Sequence, residues 1–404
     1  MAEEARTPVS KAVAPQPQAA SRLALSELAP GVMQSEIRAM TTECDRIGGI
    51  NLAQGVCDTP VPAPGEAEAH AAIKAGHNIY TRLDGIARLR NAISAKQQRD
   101  YGLTYDAETE VLVASGATGG LHAAAMALLN PGDEVLLFEP FYGYHVNTLL
   151  AVDVKPKYVA MVPPDWSFTT EDLEGAVTPR TRGIMINTPG NPTGKVWTRA
   201  ELNAIEAFAE KHDLYVFTDE VYEYLVYDGR EHMSPATMGS LRTRTISMGS
   251  LSKTFSITGW RIGYAVADRR WSKMIGYMND LVYVCAPAPL QMGVARALDQ
   301  VPDSYYRDLC DGYRVKRDKI CDALRRAGLT PFVPQGAYYV LADLSKFDGR
   351  SSKERAMKLL ERTGVATVPG ESFYREGRGE TIARFCFAKT DDQLAEACRR
   401  LERL

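Results

Sequence analysis

The sequence predicts an α/β protein with a large domain and a smaller α+β domain. In the large domain, a mostly parallel seven-stranded sheet lies between helices. Between residues 111 and 268, short apolar and β-branched runs alternate with helical segments. Apolar strands that alternate with helices are typical of a parallel sheet covered on both faces. After residue 296 the pattern changes, because helical segments come first and short strands follow.

Seven runs are the predicted strands of the large sheet. They cover 111–116, 134–140, 155–161, 183–189, 215–220, 245–250 and 261–268. A helix between the fourth and fifth runs starts with a capping box formed by Thr198 and Glu201. Leu202, Ile205 and Phe208 follow at helical spacing and are its expected buried face. The predicted strands of the smaller domain lie near 331–343, 365–369 and 383–388.

The length of 404 residues predicts about two or three domains at roughly 150 residues each. Residues 1–20 hold six Ala, three Pro and two Gln without a long apolar run, which is typical of a mobile arm. The predicted division is an arm at 1–24, a segment at 25–45 that packs with the small domain, a large cofactor-binding domain at 46–295 and a small domain at 296–404.

Composition and charge exclude several classes of protein. The net charge of -3 gives no basic surface for nucleic acid, and no apolar run approaches the roughly 20 residues of a membrane span. The seven cysteines form no CxxC pair and the six histidines no HxxxH or HExxH pair, so we expect no metal site. Without a secretory signal, the expected location is the cytoplasm.

Polar residues and glycines follow the predicted strands of the large domain. Ligands of doubly wound sheets bind outside the carboxyl ends of the strands, so these residues are the candidate site. They are Ala117, Thr118, Tyr142, Asn191, Asp219, Tyr222, Ser250, Lys253 and Arg261.

The turn after the first strand allows a rival interpretation. Gly116, Gly119 and the helix that follows resemble a dinucleotide-binding turn, and Glu139 lies where a ribose-binding acid is expected. His122 replaces the third glycine of that pattern. Because a glycine-rich turn at a helix N-terminus binds any phosphate, a nicotinamide oxidoreductase stays an alternative on this motif alone.

The lysine after the sixth strand favours a different cofactor. Lys253 stands between serines, and an amine with a lowered pKa forms an imine with a carbonyl. Ser250, Arg261 and the amides of Ala117 and Thr118 could together hold a dianionic phosphate. The site therefore suits a ligand that carries both an aldehyde and a phosphate.

The remaining strand-end residues suit an aromatic ring. Asp219 could pair with a protonated ring nitrogen, and Tyr142 could stack on the ring face. Asn191 and Tyr222 could donate hydrogen bonds to a phenolate oxygen. A phosphate, a pyridinium, a phenolate and an aldehyde together describe pyridoxal 5′-phosphate.

From about residue 25 to the C-terminus, the sequence resembles the fold-type I, class I aminotransferases. The motifs that carry this resemblance are INLAQG (50–55), Tyr80 with Gly85 and Leu89-Arg90, SGATGGLHAA (115–124), NTPGNPTGKV (187–196), TDEVYEYLVYDG (218–229), SLSKTFSITGWRIGY (250–264), PQGAYYVLAD (334–343) and ARFCFA (383–388). The middle stretch is most similar to the kynurenine aminotransferase/glutamine transaminase K branch and its bacterial relatives.

The resemblance implies a role for each strand-end residue. Lys253, Asp219 and Tyr222 match the catalytic residues: the lysine that forms the imine, the partner of the pyridine nitrogen and a partner of the ring oxygen. The other positions that match cofactor-binding residues are Ala117, Thr118, Tyr142, Asn191, Ser250 and Arg261.

The resemblance also implies a substrate site and a homodimer with shared active sites. Arg384 matches the arginine that binds the substrate α-carboxylate, helped by the Gly55 amide and Asn191. Tyr80 matches a tyrosine that reaches the phosphate of the neighbouring subunit. The implied substrates are an L-amino acid and a 2-oxo acid.

Two departures from the family pattern bear on the amino donor. Thr118 is neutral where some aspartate-using relatives carry a lysine, and Val284 stands where kynurenine-using enzymes carry a histidine beside the substrate ring. Tyr283, Tyr338 and Tyr339 are the pocket candidates. We therefore expect a large neutral donor, such as an aromatic amino acid, methionine or glutamine.

Two alternatives stay open within this fold. An aspartate-type aminotransferase and a β-lyase acting on cysteine conjugates would both use the same site. A non-catalytic regulator would need a fused DNA-binding domain, and residues 1–30 are too short and insufficiently basic for one.

Overall fold

The computed structural model describes residues 24–26, 28–31, 36–57, 59–375 and 377–404. Apart from its last residue, Ala24, the predicted arm at 1–24 lies outside the described residues. None of the described helices combines the length and the apolar character needed to cross a lipid bilayer.

Helices and strands alternate through most of the chain. The helices are α1 Glu36–Arg46, α2 Ala63–Lys74, α3 Ala87–Tyr101, α4 Gly116–Leu128, α5 Gly143–Leu150, α6 Thr170–Ala176, α7 Arg199–Lys211, α8 Arg269–Tyr283, α9 Ala288–Gln300, α10 Asp303–Arg326, α11 Ser352–Thr363 and α12 Asp391–Leu401. The strands are β1 Ile50–Asn51, β2 Val111–Ser115, β3 Glu134–Glu139, β4 Lys155–Ala160, β5 Thr181–Asn187, β6 Tyr215–Asp219, β7 Thr245–Gly249, β8 Ile262–Val266, β9 Thr330–Phe332, β10 Tyr339–Asp343, β11 Val365–Ala366, β12 Val368–Pro369 and β13 Ile382–Cys386.

The seven predicted strands of the large domain form one sheet in the order β2-β8-β7-β6-β5-β3-β4. Strands β7, β6, β5, β3 and β4 run parallel, and β8 is antiparallel to both of its neighbours. The mostly parallel seven-stranded sheet predicted from sequence is therefore confirmed. Its five parallel strands end at the same edge, where Asn187, Asp219 and Gly249 are the last residues of β5, β6 and β7.

Apolar side chains cover both faces of this sheet. The strands between its edges are therefore buried on both sides along most of their length. Helix α7 illustrates how the sequence specifies this packing. Its predicted capping box between Thr198 and Glu201 is present, and its apolar face of Leu202, Ile205 and Phe208 is buried.

A four-stranded antiparallel sheet in the order β12-β13-β10-β9 lies in the C-terminal part. Met40 and Cys44 of α1 pack in one apolar cluster with Leu360 of α11. Strand β1 pairs in parallel with β11, so residues 50–51 join the C-terminal part, although the predicted division assigns them to the large domain. Helix α9 also spans the predicted boundary between 295 and 296. The four-part division stays a prediction.

Candidate active site

A cavity of about 510 Å³ lies at the carboxyl edge of the large sheet. The N-terminus of α4 and the loops after β5, β6 and β7 form one wall, and β10 and β13 of the smaller sheet form the other. Most of the predicted site residues line it: Gly55, Ala117, Thr118, Tyr142, Asn191, Asp219, Tyr222, Ser250, Lys253, Arg261, Arg384 and the pocket candidate Tyr339.

One end of the cavity is built to hold an anion. Helix α4 begins at Gly116, directly after β2, so the amides of Ala117 and Thr118 lie in its first turn, where backbone N–H groups and the helix dipole favour negative charge. Gly116 has a φ of 72°, and an added Cβ would overlap the guanidinium of Arg261. Only glycine therefore lets Arg261 lie against this turn.

Hydrogen bonds hold the polar side chains at this end in place. The Ser250 hydroxyl lies 2.9 Å from the Ile262 carbonyl, to which it donates, and 2.7 Å from the Ser252 hydroxyl. Arg261 donates to the Thr258 carbonyl at 3.0 Å. Ser252 also lines the cavity, although it is not among the site residues predicted from the sequence.

Lys253 is the one lysine on the described wall of the cavity. Its side chain is partly exposed, and the surface that it exposes faces the cavity. Burial in protein lowers the pKa of Lys253, and the nearby Asp219 carboxylate acts in the opposite direction. A lowered pKa leaves a larger fraction of the amine neutral, which is the form that attacks a carbonyl.

Asp219 is held from both sides at the end of β6. Its carboxylate Oδ2 lies 2.8 Å from Nε2 of the buried His145. Its backbone carbonyl accepts a hydrogen bond from Asn187 Nδ2 at 2.9 Å. Sequence reasoning missed His145, although the residue stands only three positions after Tyr142, in the first turn of α5. The two rings meet edge to face at 5.2 Å.

Tyr222 and Tyr339 meet inside the cavity, with 3.2 Å between their hydroxyl oxygens. Burial raises the pKa of Tyr222 well above its usual value and that of Tyr339 to about 12. Both phenols are therefore neutral near pH 7 and can donate hydrogen bonds. The Tyr339 hydroxyl also lies so close to Gly55 that a Cβ there would overlap it.

Arg384 on β13 forms the wall opposite the large sheet, and its side chain is only 1% exposed. Its guanidinium donates to Asn191 Oδ1 at 2.9 Å and to the Ala53 carbonyl at 2.7 Å. It lies over the rings of Tyr339 at 4.1 Å and Phe373 at 5.0 Å. Its Nε is buried without a hydrogen-bond partner among the described residues. This buried cation therefore still has capacity to bind an anionic ligand.

Four residues singled out from sequence do not line the described wall of this cavity. Tyr80 is 79% exposed and lines a different surface depression. Tyr338 is fully buried behind the site and donates to the Gly55 carbonyl at 3.3 Å. Tyr283 and Val284 lie at the end of α8. Of the three predicted pocket tyrosines, only Tyr339 thus faces the cavity.

The acid expected by the nicotinamide alternative lies elsewhere. Glu139 is fully buried at the end of β3 and pairs with Arg378 at 2.6 Å. It also accepts the backbone amide of Arg375 at 2.6 Å and is absent from the described lining of the cavity. Its carboxylate is therefore committed to arginines rather than to a ribose beside the glycine turn.

The cavity therefore combines an anion-binding end, an amine of lowered pKa, a carboxylate and a buried arginine. A protein-family model described as aminotransferase class I and II matches residues 47–401. The chain belongs to this family. Pyridoxal phosphate is the cofactor of the aminotransferase, and the substrates of the enzyme are an amino acid and a 2-oxo acid. The nicotinamide alternative is excluded.

Known relatives of the aminotransferase act on different amino acids. It is 34% identical to a kynurenine–oxoglutarate transaminase of Dictyostelium discoideum over 87% of this chain and 90% of the relative. It is 32% identical to a methionine aminotransferase of Escherichia coli over 88% of this chain and 92% of the relative. The structure of N-succinyldiaminopimelate aminotransferase from Mycobacterium tuberculosis matches with a TM-score of 0.90 and 36% identity, over 94% of this chain and 99% of that one. The predicted fold type and the resemblance to the kynurenine aminotransferase branch are confirmed.

Proposed function

We propose that this aminotransferase uses large neutral L-amino acids as donors, with Lys253, Asp219 and Tyr222 as its catalytic residues. The observation that carries the proposal is the cavity itself. The Lys253 amine, the Asp219 carboxylate and the Arg384 guanidinium all line it. An amine for the aldehyde, a carboxylate for the ring nitrogen and a guanidinium for the substrate carboxylate are thus present in one cavity.

The anion end would hold the cofactor phosphate through Ser250, Arg261 and the amides of Ala117 and Thr118. Tyr142 would pack on the ring. Pyridoxal phosphate supplies an aldehyde and a protonated ring that accepts the electron pair released at the substrate Cα. The cradle formed by Gly116 and Arg261 supports this arrangement, because a side chain on that glycine would fill it.

Asp219 would hold the proton on the ring nitrogen by facing it with a negative charge. His145 orients the Asp219 carboxylate through the 2.8 Å contact. Tyr222 would donate a hydrogen bond from its phenolic O–H to the ring oxygen, which its neutral state allows. Asn191 would help there through its Nδ2, since its Oδ1 already accepts from Arg384.

Lys253 would carry the proton that leaves the substrate Cα and return it to the cofactor side. Its lowered pKa supports this role, because a general base works best when its pKa is near the working pH. Arg384 would bind the substrate α-carboxylate, with the Gly55 amide beside it. Burial of Arg384 strengthens that pair, since little water competes for either charge.

The preference for neutral donors is supported by the charges near the anion end. Thr118 lines the cavity there, and Lys253 and Arg261, the nearby cations of the described wall, have roles toward the cofactor. A short dicarboxylate would leave its second carboxylate without a partner. The relatives that act on methionine and kynurenine are consistent with a donor of this kind.

A donor panel tests the substrate proposal. Wild-type enzyme is assayed with about twenty amino acids against pyruvate, 2-oxoglutarate and oxaloacetate. Phenylalanine, methionine or glutamine should be better donors than aspartate. Thr118→Lys should narrow that gap by adding a charge partner, and Thr118→Gln is the uncharged control. A wild-type preference for aspartate over every neutral donor would contradict the proposal.

We also propose a cytoplasmic homodimer with shared active sites. Tyr80 supports the dimer, because it is exposed together with Ile79 on the surface of one subunit. All seven cysteines are free, as is usual in a reducing compartment. Light scattering during turnover tests the assembly. A fully active monomer of 44.4 kDa would rule out shared sites.

A further inference from the structure

A second cavity, of about 590 Å³, adjoins the candidate active site. Ile37, Tyr142 and Tyr144 line both cavities, so the two cavities meet at these side chains. The volume of the second cavity alone is within the range of about 300–1,000 Å³ that small-molecule sites occupy. The two cavities together therefore have room for a substrate with a long side chain.

The second cavity begins beside the proposed α-carboxylate site. Phe373 lines it, and the Arg384 guanidinium lies 5.0 Å from the centre of this ring. Further out the walls are mainly apolar and include Phe141, Val146, Leu150, Tyr158 and Tyr374. A methylene chain that leaves the first cavity would thus cross an apolar passage, which favours its burial.

Arg375 brings a positive charge to the wall of this second cavity. Glu139 takes its hydrogen bonds from Arg378 Nη1 and from the Arg375 backbone amide. The closest approach of the Arg375 side chain to Glu139 is through Nε, at 3.4 Å, and this side chain is 47% exposed. Its guanidinium lies 5.5 Å from the centre of the Tyr158 ring. Two guanidinium groups thus face one carboxylate, and the Nη atoms of Arg375 donate no hydrogen bond to a carboxylate of the described residues.

Three acidic side chains line the same cavity. Glu36 pairs with Lys353 at 3.0 Å, and Glu371 accepts from the Ser352 hydroxyl at 2.9 Å. Glu380 has a buried carboxylate oxygen without a hydrogen-bond partner among the described residues. Glu380 therefore opposes an anion in this cavity, whereas Arg375 attracts one.

We propose that the second cavity accepts the side chain of amino acids with a long chain that ends in a carboxylate, and that Arg375 binds this distal carboxylate. The inference rests on the proposed function, because it takes Arg384 as the α-carboxylate site. Aspartate is too short to pass Tyr142 and Tyr144, so its second carboxylate would stay beside Thr118. A longer chain reaches the guanidinium fork of Arg375, which suits a carboxylate.

Binding to the holoenzyme provides a test that does not depend on turnover. Calorimetry compares linear dicarboxylates of four to eight carbons with octanoate. The longest dicarboxylates should bind about tenfold or more tightly than octanoate, as expected for a charge-assisted pair. Arg375→Gln should abolish that advantage. Arg350→Gln, which removes a 93% exposed arginine elsewhere, should leave it unchanged.

Kinetics with matched donors complete the test. The ratio of kcat/KM for 2-aminooctanedioate to that for 2-aminooctanoate should fall about tenfold in Arg375→Gln and rise in Glu380→Gln. Thermal melting of both variants establishes that they are folded. Equal ratios in the wild type and both variants, or binding of octanoate as tight as that of the eight-carbon dicarboxylate, would overturn the inference. Failure of 2-aminooctanoate itself as a donor would instead count against the proposed neutral-donor function.

Discussion

The two walls of the active-site cavity are built in different ways. The wall on the large sheet consists of residues at or shortly after strand ends, such as Asp219 at the end of β6 and Lys253 in the loop after β7. The opposite wall depends on Arg384, whose partners Asn191 and Ala53 lie 193 and 331 positions away in the sequence. One wall is therefore assembled by a single sheet, and the other by the docking of the smaller sheet onto it.

This difference separates cofactor chemistry from substrate binding. The sheet wall carries the anion-binding turn, the amine and the carboxylate, which every substrate needs alike. The opposite wall carries one buried arginine between two aromatic rings. Changes on the sheet wall should affect the rate for all donors most strongly, and changes on the opposite wall should act on binding.

The largest effect is expected at Lys253. Lys253→Ala should bind pyridoxal phosphate through the anion end but lose turnover by several orders of magnitude, because nucleophile and proton carrier are lost together. Retained cofactor is measured by absorbance after dialysis, and Lys273→Ala is the control at an exposed lysine. Borohydride treatment of the wild-type holoenzyme and peptide mapping should place the cofactor on Lys253. An adduct on Lys195 or Lys273 would contradict the assignment.

A second effect distinguishes two neighbouring carboxylates. Removing one partner of a buried charge pair costs about 3–5 kcal/mol, so Asp219→Asn should lose roughly two to four decades in kcat. Glu220 is buried too, but its partners are His232 at 3.0 Å and the Thr218 and Ser234 hydroxyls. Glu220→Gln should therefore lower Tm but retain most of the catalytic activity. Comparable losses of activity at both positions would mean that the site is misplaced by one residue.

On the opposite wall, Arg384→Lys should lower kcat/KM by about two decades for every amino acid alike. Lysine keeps the charge but not the fork that binds a carboxylate through two hydrogen bonds. The measurement is kcat/KM for phenylalanine, methionine and glutamine, with Arg350→Lys as the control. A loss confined to one donor would mean that Arg384 binds the side chain of that donor and not the α-carboxylate.

The smallest effect concerns the stability of the apoenzyme. Burial lowers the pKa of Lys253 below 10.5, so above its folded pKa the native state binds fewer protons than the unfolded state, and stability rises with pH up to about 10.5. Lys253→Met lacks this buried charge and should melt at a higher temperature than wild type near neutral pH. The difference in Tm should shrink as pH rises toward 10.5. A difference that does not change with pH would show that Lys253 carries no such desolvation cost.

Local patterns were enough to predict the sheet wall. Strand periodicity and apolar runs identified all seven strands of the large sheet, and the residues after them led to Asp219, Ser250 and Lys253. The same reasoning misjudged Tyr338, which packs behind the site instead of lining it. It also missed His145, whose part in the site depends on the contact between α5 and Asp219 at the end of β6. Spacing within one element is visible in a sequence, whereas contacts between elements are not.

The sequence by itself determined the fold class, the strands of the large sheet and the set of residues at its carboxyl edge. These follow from local preferences, because strands and helices repeat every two or 3.6 residues. Only the tertiary structure decided that Arg384 faces Asn191, that Tyr339 and not Tyr338 lines the cavity, and that a second cavity shares Tyr142 with the first and has Arg375 in its wall. The physical reason is that these contacts join residues far apart in the chain, so they depend on how two sheets pack and on which side chains that packing buries.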